Sequence, residues 1–439
     1  MRMKQMLIGI TATILVSTIL IGCNSNKKSN TSDDGKTTIT FWAAPNPTQL
    51  KYWQEIATEF EKQNTDIHVD VTQMKESPSS EATIQSALAS NTAPTLSENI
   101  NRSFAAQLAD SKALVPLNTL KGTDAIVAAR NMEKSFAGWK FSDGNQYVFP
   151  VYSNPILFAW RTDVLKELGY AEPPKTYSEL LDVGKKLKAT YPDKVIWAKS
   201  DLSDPTAWMR WFDFFPLYNA ASDGNKFIDD NQLITDNQAG KGLLTLMSQL
   251  QKEDLLLTGE STDPFENQVS IMADMGPWTF PNWAEKYPEL TYGENYTITS
   301  PVVPDKILDA ENIATYADTK GVVLYAQATD AEQKAAIEFL QFAFEDVEHD
   351  VNFLETTSLI PARDDATKNP AFATYFTEHP ELAIYAANVP TAIPAMDNAK
   401  YNDLQQIIGE QAWNPIVRGE KTPNDAWNDM TKALKGVLQ

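Results

Sequence analysis

The sequence predicts an α/β fold, on three observations. Ile39 and Phe41 alternate with Thr38, Thr40 and Trp42, as in a short strand. Trp53, Ile56, Ala57 and Phe60 follow at the i, i+3, i+4, i+7 spacing of a helix, and Ile67, Val69 and Val71 alternate again. Strand, helix and strand in that order form a βαβ unit, which implies a largely parallel sheet. Third, 43% hydrophobic content over 439 residues is enough to give two or three domains real cores.

Further elements follow in chain order. Helices are expected at Ser80 to Ser90 and Arg102 to Ser111, with a third strand at Thr95-Leu96 between them. Asp143-Gly144, between Phe141 and Tyr147, reads as a hairpin turn. Thr176-Tyr177-Ser178-Glu179 is a capping box, and Leu180, Val183, Gly184 and Leu187 form the buried face of its helix. Asp204-Pro205 starts a helix with Trp208, Trp211, Phe212 and Phe215 on one face, a pattern that equally describes a core stripe. Thr235 or Asp236 opens a helix to about Lys252, Asp330 caps one carrying Ala336, Phe339, Leu340 and Ala343, and Thr422-Pro423 opens the last, with Trp427, Met430 and Leu434.

Composition excludes several functions. With 37 basic against 58 acidic residues the net charge is -21, which leaves no electrostatic footprint for a phosphate backbone, so nucleic acid is not an expected partner. One Cys makes no intramolecular disulfide, and His68, His349 and His379 have no HExxH spacing. No cofactor and no histidine-rich metal centre is expected; a carboxylate-only cation site stays open.

The amino terminus sets the compartment. Arg2 and Lys4 precede an apolar stretch from Met6 to Ile21, which is the layout of a secretory signal and too short for a comfortable bilayer span. Leu20-Ile21-Gly22-Cys23 resembles a bacterial lipobox, in which Cys23 is alkylated with diacylglycerol and its freed amino group is acylated, for example with palmitate. Two or more chains give durable anchoring where one is marginal. Residues 1–22 are therefore expected to be a lipoprotein signal peptide, and 23–36, which carry no hydrophobic residue after Cys23, a flexible tether. Without Arg2 and Lys4 the mature chain has 35 basic and 58 acidic residues, a charge of -23. The expected location is the outer face of the cell membrane, held by lipid alone.

Several segments in order resemble the extracellular solute-binding proteins of the maltose-binding-like family. Gly144-Asn145-Gln146-Tyr147-Val148-Phe149-Pro150 resembles its Gly-x-x-Tyr-x-x-Pro hairpin. Trp160-Arg161-Thr162-Asp163 and Pro173-Pro174-Lys175-Thr176 are similar to its Tyr-Asn-Lys-Asp stretch and Pro-Pro-Lys-Thr helix start, with Arg161-Thr162 standing where Asn-Lys is usual. Ile271-Met272-Ala273-Asp274-Met275-Gly276-Pro277-Trp278 resembles the Ala-Met-x-x-x-Gly-x-Trp pattern. Ala335 to Phe344, then Ser358-Leu359-Ile360-Pro361-Ala362-Arg363, resembles a Phe-Leu-x-Phe helix and its sequel, with Ser358 replacing a common Gly.

The resemblance implies a two-lobed, type II periplasmic-binding-protein-like fold with a hinge and a cleft between lobes. It places residues 37–150 plus 303–345 in an N-terminal lobe and 151–302 plus 346–439 in a C-terminal lobe. It further implies a monomeric, non-catalytic lipoprotein that hands a sugar to the permease of an ABC importer. The likeness to glycan-import lipoproteins of Gram-positive bacteria implies a host-derived or N-glycan-type oligosaccharide.

A sugar has apolar C–H faces and a rim of hydroxyls, so its site needs flat aromatics with a few donors and acceptors. Trp42 and Asn46 follow the first strand, at the carboxyl end where open α/β sheets bind ligands. Glu76 follows the second strand; Glu98, Asn99 and Asn101 follow the third. Tyr152 and Asn154 lie beyond the first crossover, Trp208 and Trp211 on the aromatic face, and Trp278 is carried to the cleft by the resemblance. The rival readings are a secreted glycoside hydrolase, which also uses aromatics and paired carboxylates, and a binder of a peptide, metal or polyamine. The lack of GxSxG, HExxH and Cys-His patterns favours binding.

Overall fold

Asn46 ends the first strand and starts the first helix. Its side chain accepts a hydrogen bond from the Thr48 amide at 2.9 Å, and Pro47, which has no amide hydrogen to lose, takes the first helical position. This is seen in a computed structural model that describes residues 35–439 except 205–206, 230 and 308–311, and only the backbone of 201, 207 and 208. The expected signal peptide, Cys23 and nearly all of the tether lie outside the described residues. No helix among those described is long and apolar enough to cross a membrane.

The βαβ opening is present. β1 (Thr37–Ala43), the helix Pro47–Gln63 and β2 (Ile67–Gln73) are followed by β3 (Leu96–Ile100), and β1 pairs in parallel with both other strands. Strands β4 (Phe149–Pro155), β12 (Thr315–Leu324) and β13 (Ala392–Ile393) complete this six-stranded sheet, in the order β13-β12-β3-β1-β2 with β4 also on β12. A second sheet runs β11-β5-β10-β6-β9, from Thr297–Thr299 (β11), Leu157–Trp160 (β5), Ser270–Met275 (β10), Val195–Ala198 (β6) and Leu256–Leu257 (β9). Ile228–Asp229 (β7) and Gln232–Leu233 (β8) form a small ribbon.

Each sheet carries its own core, which is what divides the molecule into two lobes. Around the first sheet, Trp53 lies 4.6 Å from Phe41 and 6.1 Å from Phe339. In the second lobe, Phe214, Phe227, Trp413 and Trp427 pack together, and Gly240 is fixed because a Cβ there would sit 2.0 Å from the Trp427 ring. Trp53 and Trp427 are thus core, as expected. Trp139, Trp160, Trp197, Trp283 and Trp413 are core as well, each at most 4% exposed.

Local chemistry corrects four expectations. β3 runs from Leu96 to Ile100, so Glu98 and Asn99 lie within the strand rather than in a loop after it. Asp143-Gly144 makes a tight turn, with the Gly144 amide donating to the Phe141 carbonyl, but no strands flank it. The Asp143 carboxylate instead binds Asn145 and the Tyr147 hydroxyl and ties the loop to itself. The 330–345 helix is capped by Thr329 with Glu332, so Asp330 is its first residue and not its cap. The 208–215 stripe is not one helix: a 3-10 turn (Ala207–Trp211) stops at buried Asp213, whose carboxylate binds Arg210 and the Phe214 amide and starts the separate helix Phe214–Ala221. The capping box at Thr176 and Glu179 and the starts at Asp236 and Thr422 match expectation.

The two positions that depart from the family motifs have local explanations. Ser358 ends the helix Val347–Thr357 at φ +58°, a left-handed conformation that glycine adopts freely. Arg161 donates to both oxygens of Asp163 and to the carbonyls of Phe265 and Glu266, replacing side-chain capping with a cross-link.

A buried ionic knot holds the first-sheet end of β4. Arg130, fully buried, donates to both Asp350 oxygens and to the Pro150 and Val151 carbonyls; Arg363, 2% exposed, donates to Asp350 Oδ2 at 3.0 Å and to Asp365 at 2.8 Å. Asp350 is therefore shared by two buried guanidinium groups.

Candidate functional site

Strands β4 and β12 in one lobe and the carboxyl ends of β6 and β10 in the other deliver the polar and aromatic side chains of interest. β10 ends at Met275, followed by Gly276-Pro277-Trp278. Trp278 is 43% exposed, one of two large hydrophobic side chains so exposed among the described residues. The indole folds back over Gly276: a Cβ there would stand 2.2 Å from the ring. The glycine therefore makes room for the tryptophan itself and fixes its direction.

An aromatic track leads from Trp278 to the first sheet. Trp278 meets Phe212 edge to face at 6.1 Å, Phe212 meets Tyr316 at 6.3 Å, and Tyr316 lies 5.4 Å from Trp211. Tyr316 is on β12, where alternation puts Asp318 and Lys320 on the same face. In the β4–β12 ladder, Asn154 stands opposite Asp318 and Tyr152 opposite Lys320. Asn154 is buried; its Oδ1 accepts from the Ile360 amide at 3.3 Å while its Nδ2 has no partner. Half-buried Asp318 and Lys320 make no side-chain hydrogen bond or ion pair among the described residues. Burial, and then the negative charge of Asp318, pushes the Tyr152 and Tyr316 hydroxyls well above the ordinary tyrosine range, so both are donors at neutral pH.

The opposite wall is charged and paired. Lys199, just past β6, binds Asp274 of β10 at 2.7 Å, and the Trp197 indole donates to the same carboxylate at 3.1 Å. Beside the track, Arg102 and Trp211 help line a recess of ≈ 50 Å³, room for one or two waters, and Arg102 Nε is buried without a hydrogen-bond partner.

The candidates read from sequence thus fall into groups. Tyr152, Asn154, Trp211 and Trp278 lie along the track. Trp42 is half-buried against a cluster that includes Phe104 and Trp139. Asn46 caps the first helix, Asn101 caps the helix Arg102–Asp110 by accepting from Phe104, Asn99 is half-buried at φ +67°, and Glu76 is exposed beyond β2. Among the described residues, none of these five makes a hydrogen bond or ring contact with Trp278 or Tyr316. The Trp208 side chain lies outside the described residues. Phe212, Tyr316, Asp318 and Lys320, which the structure brings onto the track or its strand, are not among the candidates read from the sequence, although charged residues at alternate positions of this strand are a readable signal. No group of three His, Cys, Asp or Glu suited to a metal occurs among the described residues.

Glu98 is fully buried and supports the site's rim. It accepts from the Ala44 amide at 2.9 Å and from Gln49 Nε2 at 2.8 Å, fixing the loop that enters the first helix. Burial raises its carboxyl above the ordinary 4.5, and the donors and Lys320 only partly offset this. A raised acid binds its proton more tightly in the folded state, so this contribution is fully present below 4.5 and is lost as pH rises through the folded value. Melting curves across pH 4 to 8 are expected to show Glu98→Gln gaining on the wild type as pH rises; parallel profiles contradict this. A second expected result concerns Gly276. Gly276→Ala should displace the indole and weaken ligand binding about tenfold, or about 1.4 kcal/mol, as measured by titration calorimetry, with Phe212 and Tyr316 untouched.

Comparison with known proteins gives three findings. A model of bacterial extracellular solute-binding proteins matches residues 55–384. The crystal structure of the uncharacterized protein lmo0859 from Listeria monocytogenes EGD-e is 70% identical, covering 92% of this chain and 100% of that one, with a TM-score of 0.91. At 19% identity, the cyclic alpha-maltosyl-1,6-maltose binding protein of Arthrobacter globiformis covers 92% of this chain and 99% of its own (TM-score 0.75), and the sugar-binding protein MalE of Xanthomonas citri covers 92% and 97% (TM-score 0.73). The last two share the two-lobed fold.

Proposed function

The chain belongs to the bacterial extracellular solute-binding proteins, and from that premise we propose that it captures an extracellular oligosaccharide between its lobes and delivers it to an ABC importer. The observation that carries this reading is Trp278, an exposed indole pinned at the end of β10 and facing Phe212. An aromatic plate linked through Phe212 to Tyr316, whose strand carries Asp318 opposite Asn154, suits the C–H face and hydroxyl rim of a sugar. Charges near the track balance in sign, with Asp274 paired to Lys199 and Asp318 two residues from Lys320 on one strand face, which suits a neutral ligand.

Cleavage after Gly22, acylation of Cys23 and a short tether would hold the protein at the outer membrane face as a monomer, within reach of a permease. Binding would proceed by hinge closure, with the glycan selecting the closed lobes. α-Glucans, which include the ligand named for the Arthrobacter globiformis protein, and N-glycan-type oligosaccharides are the first candidates.

A glycan-library thermal shift tests this reading. One class of glycan is expected to raise Tm and to be recovered intact. No shift with any glycan contradicts capture, and release of smaller sugars replaces the binding role with a hydrolase.

A further inference from the structure

The helix that begins after Trp278 has a second concave face. On its other side a pocket of ≈ 410 Å³ is lined by residues that include Pro277 and Phe280 of this segment, Tyr292 and Tyr296 of the loop before β11, and Tyr375 and Glu381 of the 373–388 helices. Pro277 precedes Trp278 and Phe280 follows it by two, so the pocket and the exposed indole share one helical turn.

Two polar groups that line this pocket matter most, those of Tyr296 and Glu381. Tyr296 is 3% exposed, its hydroxyl has no hydrogen-bond partner among the described residues, and its ring is held edge to face by Trp283 at 5.0 Å. The Glu381 carboxylate is 16% exposed; among the described residues its only ionic neighbour is His379 at 3.6 Å, and no donor hydrogen-bonds to it. Burial is the main cause that raises the hydroxyls of Tyr292, Tyr296 and Tyr375, with the Glu381 charge adding to it, and all four residues line the pocket. Such a pocket presents aromatic walls, tyrosine donors and one strong acceptor.

The geometry points to a second, outer saccharide subsite here, in which glycosyl units continuing beyond Trp278 stack on Phe280 and Tyr292 and hydrogen-bond to Tyr296 and Glu381. This deepens the reading of an oligosaccharide ligand and rests on it. The pocket would then act on chain length: short glycans end at Trp278, longer ones turn around the helix and gain affinity.

The test is titration calorimetry of the wild type, Glu381→Gln and Tyr296→Phe with maltose through maltoheptaose and with the best hit of the glycan library in full-length and trimmed forms. Both substitutions are close in shape, and melting curves check that the fold is kept. Expected is a loss of about tenfold for the longest ligands and no change for the shortest that binds. An equal loss at every length, or none at any, overturns the subsite while leaving sugar capture standing. Failure of the wild type to bind any glycan overturns the underlying reading. Binding of choline or spermidine that Glu381→Gln abolishes, without any glycan length effect, assigns the pocket to a cation and also overturns the subsite.

Discussion

Trp278→Ala is expected to weaken glycan binding roughly thirtyfold while moving stability very little. Tryptophan buries 150–250 Å², so covering the exposed 43% of its surface removes about 80 Å² from water, worth about 2 kcal/mol at ~25 cal/mol per Å². That is ~thirtyfold in Kd at 1.4 kcal/mol per decade. Because 43% of the indole is in water before binding, its loss from the free protein removes only its edge contact with Phe212 and its packing over Gly276, less than a fully buried ring loses. A core tryptophan behaves oppositely: truncating buried Trp413 or Trp427 should cost about 3–5 kcal/mol. Calorimetry of Trp278→Ala against the glycan library hit, alongside its melting curve, separates the two cases. An unchanged Kd removes Trp278 from the site, and a large fall in Tm makes it a core residue.

Asp350→Ala is expected to be strongly destabilising, on the scale of truncating a core side chain. It leaves Arg130 and Arg363 buried with no shared counter-charge, and breaking a buried pair in this way costs about 3–5 kcal/mol. Arg130 would keep its two carbonyl acceptors and Arg363 would keep Asp365, so the effect sits nearer the lower figure. At about 2–4 °C per kcal/mol, as for chains of 150–250 residues, Tm should fall by roughly 10 °C. Asp350→Asn, which keeps the shape and an acceptor oxygen, should fall by less. A Tm within about 2 °C of the wild type for both variants contradicts the knot as a stabilising element.

Much of the fold was legible because its signals are local. The opening βαβ unit, the capping box at Thr176 and the start at Thr422 each follow from side chains within four residues of one another. The family likeness rests on similarly local motifs, one of which points to Trp278, and that side chain is 43% exposed. What could not be read depends on groups distant in sequence. The aromatic stripe at 208–215 has helical spacing, yet the buried Arg210–Asp213 pair, with Arg210 also donating to Asn414, breaks it and sends Phe212 toward Trp278 while Trp211 turns to Tyr401. Trp42 has the right position after a strand, but which face it takes is set by the register with Ser97 and by Trp139 some hundred residues away. Tyr316, Asp318 and Lys320 come beside Tyr152 and Asn154 only because β12 pairs with β4 in a register that sequence alone does not show.

The most direct test of glycan capture between the lobes is a crystal structure of the protein with its library hit bound. A sugar ring lying face-on to Trp278, with hydroxyls in hydrogen-bond reach of Tyr152, Asp318 or Asn154, is the predicted result. A glycan seated away from Trp278, with the indole still open to solvent, would contradict it.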